Sequence, residues 1–350
     1  MLAENALERV KKYVLRDSTG RQVAYSVRGD PNGIPTFFMH GSPGSSAGPL
    51  PNDMMLRIWG SCIVSVDRPG YGHSDPLPGR TVADGVRDVE LVADALAVER
   101  FNVMGRSGGG PYALGCAALL GTRVVSVATL AGIAPPYLMD RGFTTMTADN
   151  AAKYAAATSR AGLSSLEASY MQLADGVQGE PSYLLQYLEP DLRPADRAVL
   201  AAANLRWLTR LGHRDGLRQG AAGWLADSYA ATHDWGFGLD FATPTFIWSG
   251  RADGFTPPGH GETLHREIAN NVLIQHDQVA HFSALTAAPP MLTVQRSFYR
   301  YNATDQPTEG QADQLAAFMQ LEPTIHALRS VGNVALWHTV GHPQDEVYWL

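Results

Sequence analysis

The sequence predicts a doubly wound α/β sheet with a helical block set into it, and three observations carry that prediction. Short apolar runs rich in β-branched residues alternate with helically periodic stretches in the first third of the chain. A stretch without strand-like runs follows, from about Pro135 to Asp240. Strand patterning then resumes twice before residue 300. The composition supports a packed fold: of 350 residues, 45% are apolar and 17% charged, which excludes global disorder.

Tyr13 to Arg16, the turn Asp17-Ser18-Thr19-Gly20 and the alternating Val23, Tyr25 and Val27 read as a hairpin. Past the breakers Asp30-Pro31-Asn32-Gly33 come four runs: Thr36 to Met39, Cys62 to Val66, Phe101 to Met104 and Val124 to Ala128. Continuous runs of this length suit strands buried on both faces of a parallel sheet. Between the second and third, Val82, Val86, Val89, Ala93 and Leu96 fall at helical spacing. In the block from Pro135 to Asp240, helices are expected over Asp196 to Leu211, closed by Gly212, and over Leu217 to Tyr229. Pro244 to Trp248 and Val272 to Gln275 are the returning strands. The expected division is a core of residues 1–134 and 241–300, a helical cap of 135–240, and a C-terminal extension of 301–350. A cap inserted between strands of one sheet covers the carboxyl edge, where open α/β sheets bind ligands.

Lys plus Arg number 27 and Asp plus Glu 34, a net charge of −7. From Tyr301 onward six acids face Arg329 alone, so the body before it is close to neutral. This balance offers no footprint for nucleic acid or an anionic membrane. Cys62 and Cys116 both sit in apolar runs, so they read as buried thiols in a reducing compartment, with neither a disulfide framework nor a zinc site. No metal and no cofactor is expected. Charged residues interrupt Met1 to Asp17, which lacks the apolar core of a signal peptide, and no apolar run is long enough to span a membrane. A cytoplasmic location is the expectation. Leu315, Phe318, Met319, Ile325, Leu328, Trp337 and Trp349 give the extension enough apolar surface to dock on the body or on a second subunit of a homo-oligomer.

The pattern G-x-S-x-G occurs twice. Gly44-Ser45-Ser46-Ala47-Gly48 follows a Pro-Gly turn and precedes Pro49, the wrong setting for a strand-to-helix elbow. Gly105-Arg106-Ser107-Gly108-Gly109 follows a strand, and Pro111 then leads a helical run. That is the context of a nucleophile elbow, which lifts Ser107 above the sheet edge. A glycine-rich turn cradling phosphate is the competing reading, but a Walker loop would need Gly-Lys-Ser/Thr. A serine nucleophile needs a base, and the base needs an orienting acid. Asp253 follows the strand ending at Trp248, and His281 follows the next strand, in the chain order serine, acid, histidine. Asp277 is the nearest rival acid. The oxyanion donors are expected from the main chain of Gly108 and of Ser42, in His40-Gly41-Ser42-Pro43-Gly44, with Gly41 permitting close approach. His40 comes too early to be the base and reads as a brace for this loop. His73, in Asp67-Arg68-Pro69-Gly70-Tyr71-Gly72-His73-Ser74-Asp75, reads as structural or as a wall of the pocket.

The segments His40–Gly44, Asp67–Asp75 and Gly105–Ala113, together with Asp234-Trp235-Gly236-Phe237, Gly250-x-x-Asp253-x-x-x-Pro257 and Ala280-His281-Phe282-Ser283, resemble the α/β-hydrolase superfamily over about residues 15 to 300. The resemblance implies a mainly parallel eight-stranded sheet with helices on both faces, a helical cap, and catalysis by Ser107, Asp253 and His281. Ser107 separates the chain from members with an aspartate nucleophile. Proline iminopeptidases usually carry a second glycine where Ser42 stands and a tryptophan where Gly108 stands, and Ala280 replaces the usual glycine before the base. The expected activity is hydrolysis of a small carboxylic ester, lactone or amide through an acyl-enzyme, the partner being a small-molecule substrate. A carbon–carbon bond hydrolase would use the same three residues, and a non-enzymatic ligand-binding protein could keep them.

Overall fold

The computed structural model describes residues 10–302, so the expectations for the C-terminal extension lie outside the described residues. The opening hairpin forms as β1 (Lys12–Arg16) and β2 (Gln22–Gly29), paired antiparallel. The four apolar runs become β3 (Ile34–Met39), β4 (Ser61–Val66), β5 (Phe101–Arg106) and β6 (Val124–Leu130). The returning strands are β7 (Thr245–Gly250) and β8 (Asn271–His276). They form one eight-stranded sheet in the order β1-β2-β4-β3-β5-β6-β7-β8, parallel from β4 to β8. Every residue of β4, β5, β6 and β7 is buried, which is why these strands read as unbroken apolar runs.

Helices cover both faces. On one, α2 (Val82–Ala95) buries Val82, Val86, Val89, Val92 and Ala93 against the sheet, beside α3 (Gly110–Leu120). A Thr81–Asp84 capping box starts α2. On the other face lie the short α1 (Asp53–Ile58), through Leu56, and the terminal α11 (Ala284–Asn302), through Met291, Leu292 and Val294. The remaining core helix, α10 (Pro258–Glu267), adds Leu264 to the first face.

Between β6 and β7 the chain forms helices and turns and no strand. These helices are α4 (Ala148–Ala157), α5 (Arg160–Gly179), α6 (Tyr183–Leu188), α7 (Pro194–Ala201), α8 (Ala203–Gly216) and α9 (Ala222–Thr232). They hold their own small core around Leu166, Tyr170, Leu173, Val177 and Leu184. Here the structure corrects the sequence reading. The helix expected over Asp196 to Leu211 is two helices, broken at Ala202, whose ψ of 115° leaves the helical region. Gly212 does not end a helix. It lies inside α8, where an added Cβ would stand 2.8 Å from the Cα of Gly48. Leu217 belongs to the end of α8, and α9 starts only after Gly220 turns the chain with φ +84°.

At two glycines the cap meets the core backbone on backbone, beside an apolar cluster in which Leu200 and Leu205 pack with Phe255 and Phe282. A Cβ at Gly216 would fall 2.2 Å from the carbonyl oxygen of Gly44, and one at Gly223 2.7 Å from the carbonyl carbon of Gly70. Glycine is the side chain that allows this approach.

Candidate active site

Parallel strands send their loops to one edge of the sheet, and the candidate residues follow β3, β5, β7 and β8. After β5 the chain turns sharply through Ser107–Gly109 into α3. Ser107 holds φ +52°, a left-handed conformation that costs a non-glycine residue energy and marks functional sites. Its neighbours must be small: a Cβ at Gly105 would stand 2.4 Å from the Gly109 carbonyl oxygen, and one at Gly109 2.2 Å from that of Met39. Ser46, in the other G-x-S-x-G, is buried in an irregular loop; its N–H donates to Asp67 Oδ1 at 2.7 Å.

The structure brings Asp253 and His281 together. His281 Nδ1 lies 2.9 Å from Asp253 Oδ2, and the other carboxylate oxygen accepts the N–H groups of Phe255 at 2.8 Å and Thr256 at 2.7 Å. With Nδ1 as the donor, Nε2 is the nitrogen left to act as a base. Asp277 is 80% exposed and pairs with Arg251 on the surface, which excludes it as the orienting acid in this arrangement. Ser107 and His281 line one cavity of about 80 Å³, together with Ser42, Arg106, Lys153, Tyr170, Trp224 and Phe255.

Ser42 and Gly108 also meet. A Cβ on Gly108 would collide with the Ser42 side chain, 2.4 Å from its Oγ, so the serine occupies the space a larger residue at 108 would need. The Ser42 hydroxyl is already engaged: it donates to Asp227 Oδ2 and accepts from Arg68 Nη2 at 2.9 Å. What remains for a ligand is its main-chain N–H. His40 braces the same loop, with Nδ1 2.8 Å from the Gly41 carbonyl oxygen and Nε2 accepting from the Arg68 N–H at 3.3 Å. Burial, and next the Arg68 charge, push His40 down to about 3, so it is neutral. His73 does not line the cavity that holds Ser107. Its side chain is 43% exposed and sits against Arg218.

Several site residues carried no readable signal. Asp227, on cap helix α9, accepts from Arg68 Nη2 and Arg80 Nη2, each at 2.6 Å, and from Tyr71 and Tyr112 at 2.9 and 2.8 Å. Burial alone would raise its carboxyl, but the two guanidinium groups outweigh it and hold Asp227 far below the usual carboxylate range. Asp196, on cap helix α7, accepts the Phe282 N–H at 2.7 Å and so pins the turn that carries His281. Arg106, the last residue of β5 and next to Ser107, is 92% buried at a relative exposure of 8%, and its Nη1 has no hydrogen-bond partner. Among the described residues no three His, Cys, Asp or Glu side chains are grouped to hold a metal, and no helix is long and apolar enough to cross a membrane.

Known proteins resemble the chain at two levels. Proline iminopeptidase of Neisseria gonorrhoeae is 33% identical over 107 residues, and that of Xylella fastidiosa strain 9a5c 38% over 96 residues. These matches cover 29% and 26% of this chain, and 33% and 29% of the relatives, so each spans about a third of the relative's length. In three dimensions, a thermophilic esterase of Thermogutta terrifontis, solved with malate bound, superimposes with a TM-score of 0.59 at 15% identity, covering 83% of this chain and 98% of its own. The enol-lactonase of Burkholderia xenovorans LB400 gives 0.54 at 19% identity, covering 82% and 100%. The model of the family described as alpha/beta hydrolase fold matches residues 35–288. With most of the chain matched, and with the sheet order and the elbow in place, the protein belongs to the alpha/beta hydrolase fold family.

Proposed function

We propose that the protein is a serine hydrolase that cleaves a small carboxylic ester, lactone or amide through an acyl-enzyme. One observation carries this reading: a strained Ser107 lines the same cavity as His281, whose imidazole is hydrogen-bonded to Asp253. In the reaction, Ser107 Oγ attacks the carbonyl carbon while His281 Nε2 takes the serine proton. Asp253 holds the imidazole in the tautomer that presents Nε2 and stabilises its charged form. Negative charge on the carbonyl oxygen is met by the N–H groups of Ser42 and Gly108. The leaving group departs with the proton from His281, and water, deprotonated by the same imidazole, then hydrolyses the acyl-enzyme. Residues 135–240 act as the cap that shapes the pocket.

The test is covalent and kinetic. A fluorophosphonate should label the protein at Ser107, and Ser107→Ala should remove both labelling and hydrolysis, a rate loss on the order of 10³ to 10⁶. Ser46→Ala should retain both. A dead Ser46→Ala beside an active Ser107→Ala would reverse the assignment, and labelling at Ser107 with no turnover of esters, lactones or amides would favour a ligand-binding protein.

A further inference from the structure

The cavity that holds Ser107 is lined by two cationic side chains, Arg106 and Lys153, and by no carboxylate among the described residues. The acids nearby are engaged elsewhere. Asp253 faces His281, Asp196 takes the Phe282 N–H, Asp227 is clamped by Arg68 and Arg80, and Asp149 pairs with Lys153 at 2.6 Å. Lys153 is therefore neutralised within the cap. Arg106 is not. It lies against Gly41, where an added Cβ would stand 2.9 Å from Nη2, and over the Phe282 ring at 5.9 Å. Beside it His213 also lines the cavity and leaves Nδ1 buried without a partner. Burial draws Arg106 down to about 10, which leaves it charged at neutral pH, and burial followed by the Arg106 charge holds His213 at about 3, so it is neutral. A buried guanidinium with an unused donor is costly unless an anion completes it.

Resting on the serine hydrolase reading, we infer that the substrate carries a carboxylate a few bonds from the scissile carbonyl and that Arg106 binds it, with His213 alongside. A free amine in the same place would face a cation that no carboxylate pairs. Arg106 is thus a specificity residue of this site. The rival account is that Arg106 is structural and is satisfied by an internal water in the cavity of about 20 Å³ that it shares with Thr209, Gly212 and His213.

Paired probes separate the two accounts. On the acyl side, 4-nitrophenyl hemisuccinate is compared with its neutral isostere 4-nitrophenyl 4-methylpentanoate; on the leaving-group side, 2-carboxyphenyl acetate with phenyl acetate. The native protein should prefer the anionic member of at least one pair in kcat/KM. In Arg106→Met that preference should fall by roughly 10- to 100-fold, the worth of a charged hydrogen bond, while the neutral ester is still cleaved. Arg106→Lys should restore part of it. As a check that needs no variant, free succinate should protect Ser107 from fluorophosphonate and succinamide should not. Neutral esters preferred in both pairs, faster cleavage of prolyl 4-nitroanilide, or a ratio unchanged in Arg106→Met would overturn the inference. Failure of the underlying reading looks different: no labelling at Ser107 and no turnover of either member of a pair.

Discussion

Ser107 can hold a left-handed backbone only because the turn around it leaves no alternative, and the same local chemistry made it visible in the sequence. A strand, two flanking glycines and a helix-starting proline lie within ten residues of it. Asp253 and His281 were legible for the same reason: each sits a few residues past an apolar run, at an edge the topology dictates. Asp253→Asn should lower turnover by on the order of 10⁴, since the amide favours the wrong imidazole tautomer. Steady-state rates checked alongside Asp277→Asn, which should stay near native, would decide the acid. What the sequence could not display is pairing at long range. Arg68 and Arg80 meet Asp227 across 159 and 147 residues, with nothing in either segment to announce the other. Arg106 stands inside the Gly105–Gly109 motif, yet its lack of a hydrogen-bond partner at Nη1 is a property of the folded surroundings alone.

At the scale of elements, the strands and α2 were legible from their periodicity, whereas the cap helices were not bounded correctly. Gly212 looked like a stop signal because glycine commonly ends helices; in α8 it serves close contact with Gly48 instead. Asp227 joins α9 to the loops after β4 and β3, so the cap and the Ser42 loop share one anchor. Asp227→Asn leaves two buried guanidinium groups short of a counter-charge, and chemical denaturation should show a loss of about 3 to 5 kcal/mol. The Ser42 hydroxyl loses its charged acceptor in the same variant, so ester turnover by the folded fraction should also fall. Gly216→Ala tests the contact between α8 and the core. Its Cβ would be driven into the Gly44 carbonyl, and a destabilisation of about 1 to 3 kcal/mol is expected.

Over the whole molecule, three buried histidines couple stability to pH. His40, His213 and His260 are each lowered to about 3 from 6.5, burial being the first cause in all three. Below pH 6.5 the unfolded chain takes up protons at these positions and the folded chain does not, so stability falls as pH falls toward 3. Between pH 6.5 and pH 5 each should contribute a loss of about 1 to 2 kcal/mol. Asp227, also lowered, acts in the same direction, but its stabilisation is lost only as pH falls through and below the ordinary carboxylate range, so it does not enter this window. Urea midpoints at the two pH values would check this, and His260→Gln should flatten the slope by about a third if the three act alike.

The contact of glycine on glycine between cap and core has a consequence for how the protein comes apart. At those glycine contacts no side-chain layer can slide or repack, and opening the seam would strip two buried arginines of their carboxylate. Cap and core therefore form one cooperative unit, joined also by the apolar cluster of Leu185, Leu192, Leu200 and Leu205 with Phe255, Phe282 and Leu285, and calorimetry should record a single heat-absorption peak. Amide exchange in α9 should follow the same opening event as exchange in the central strands.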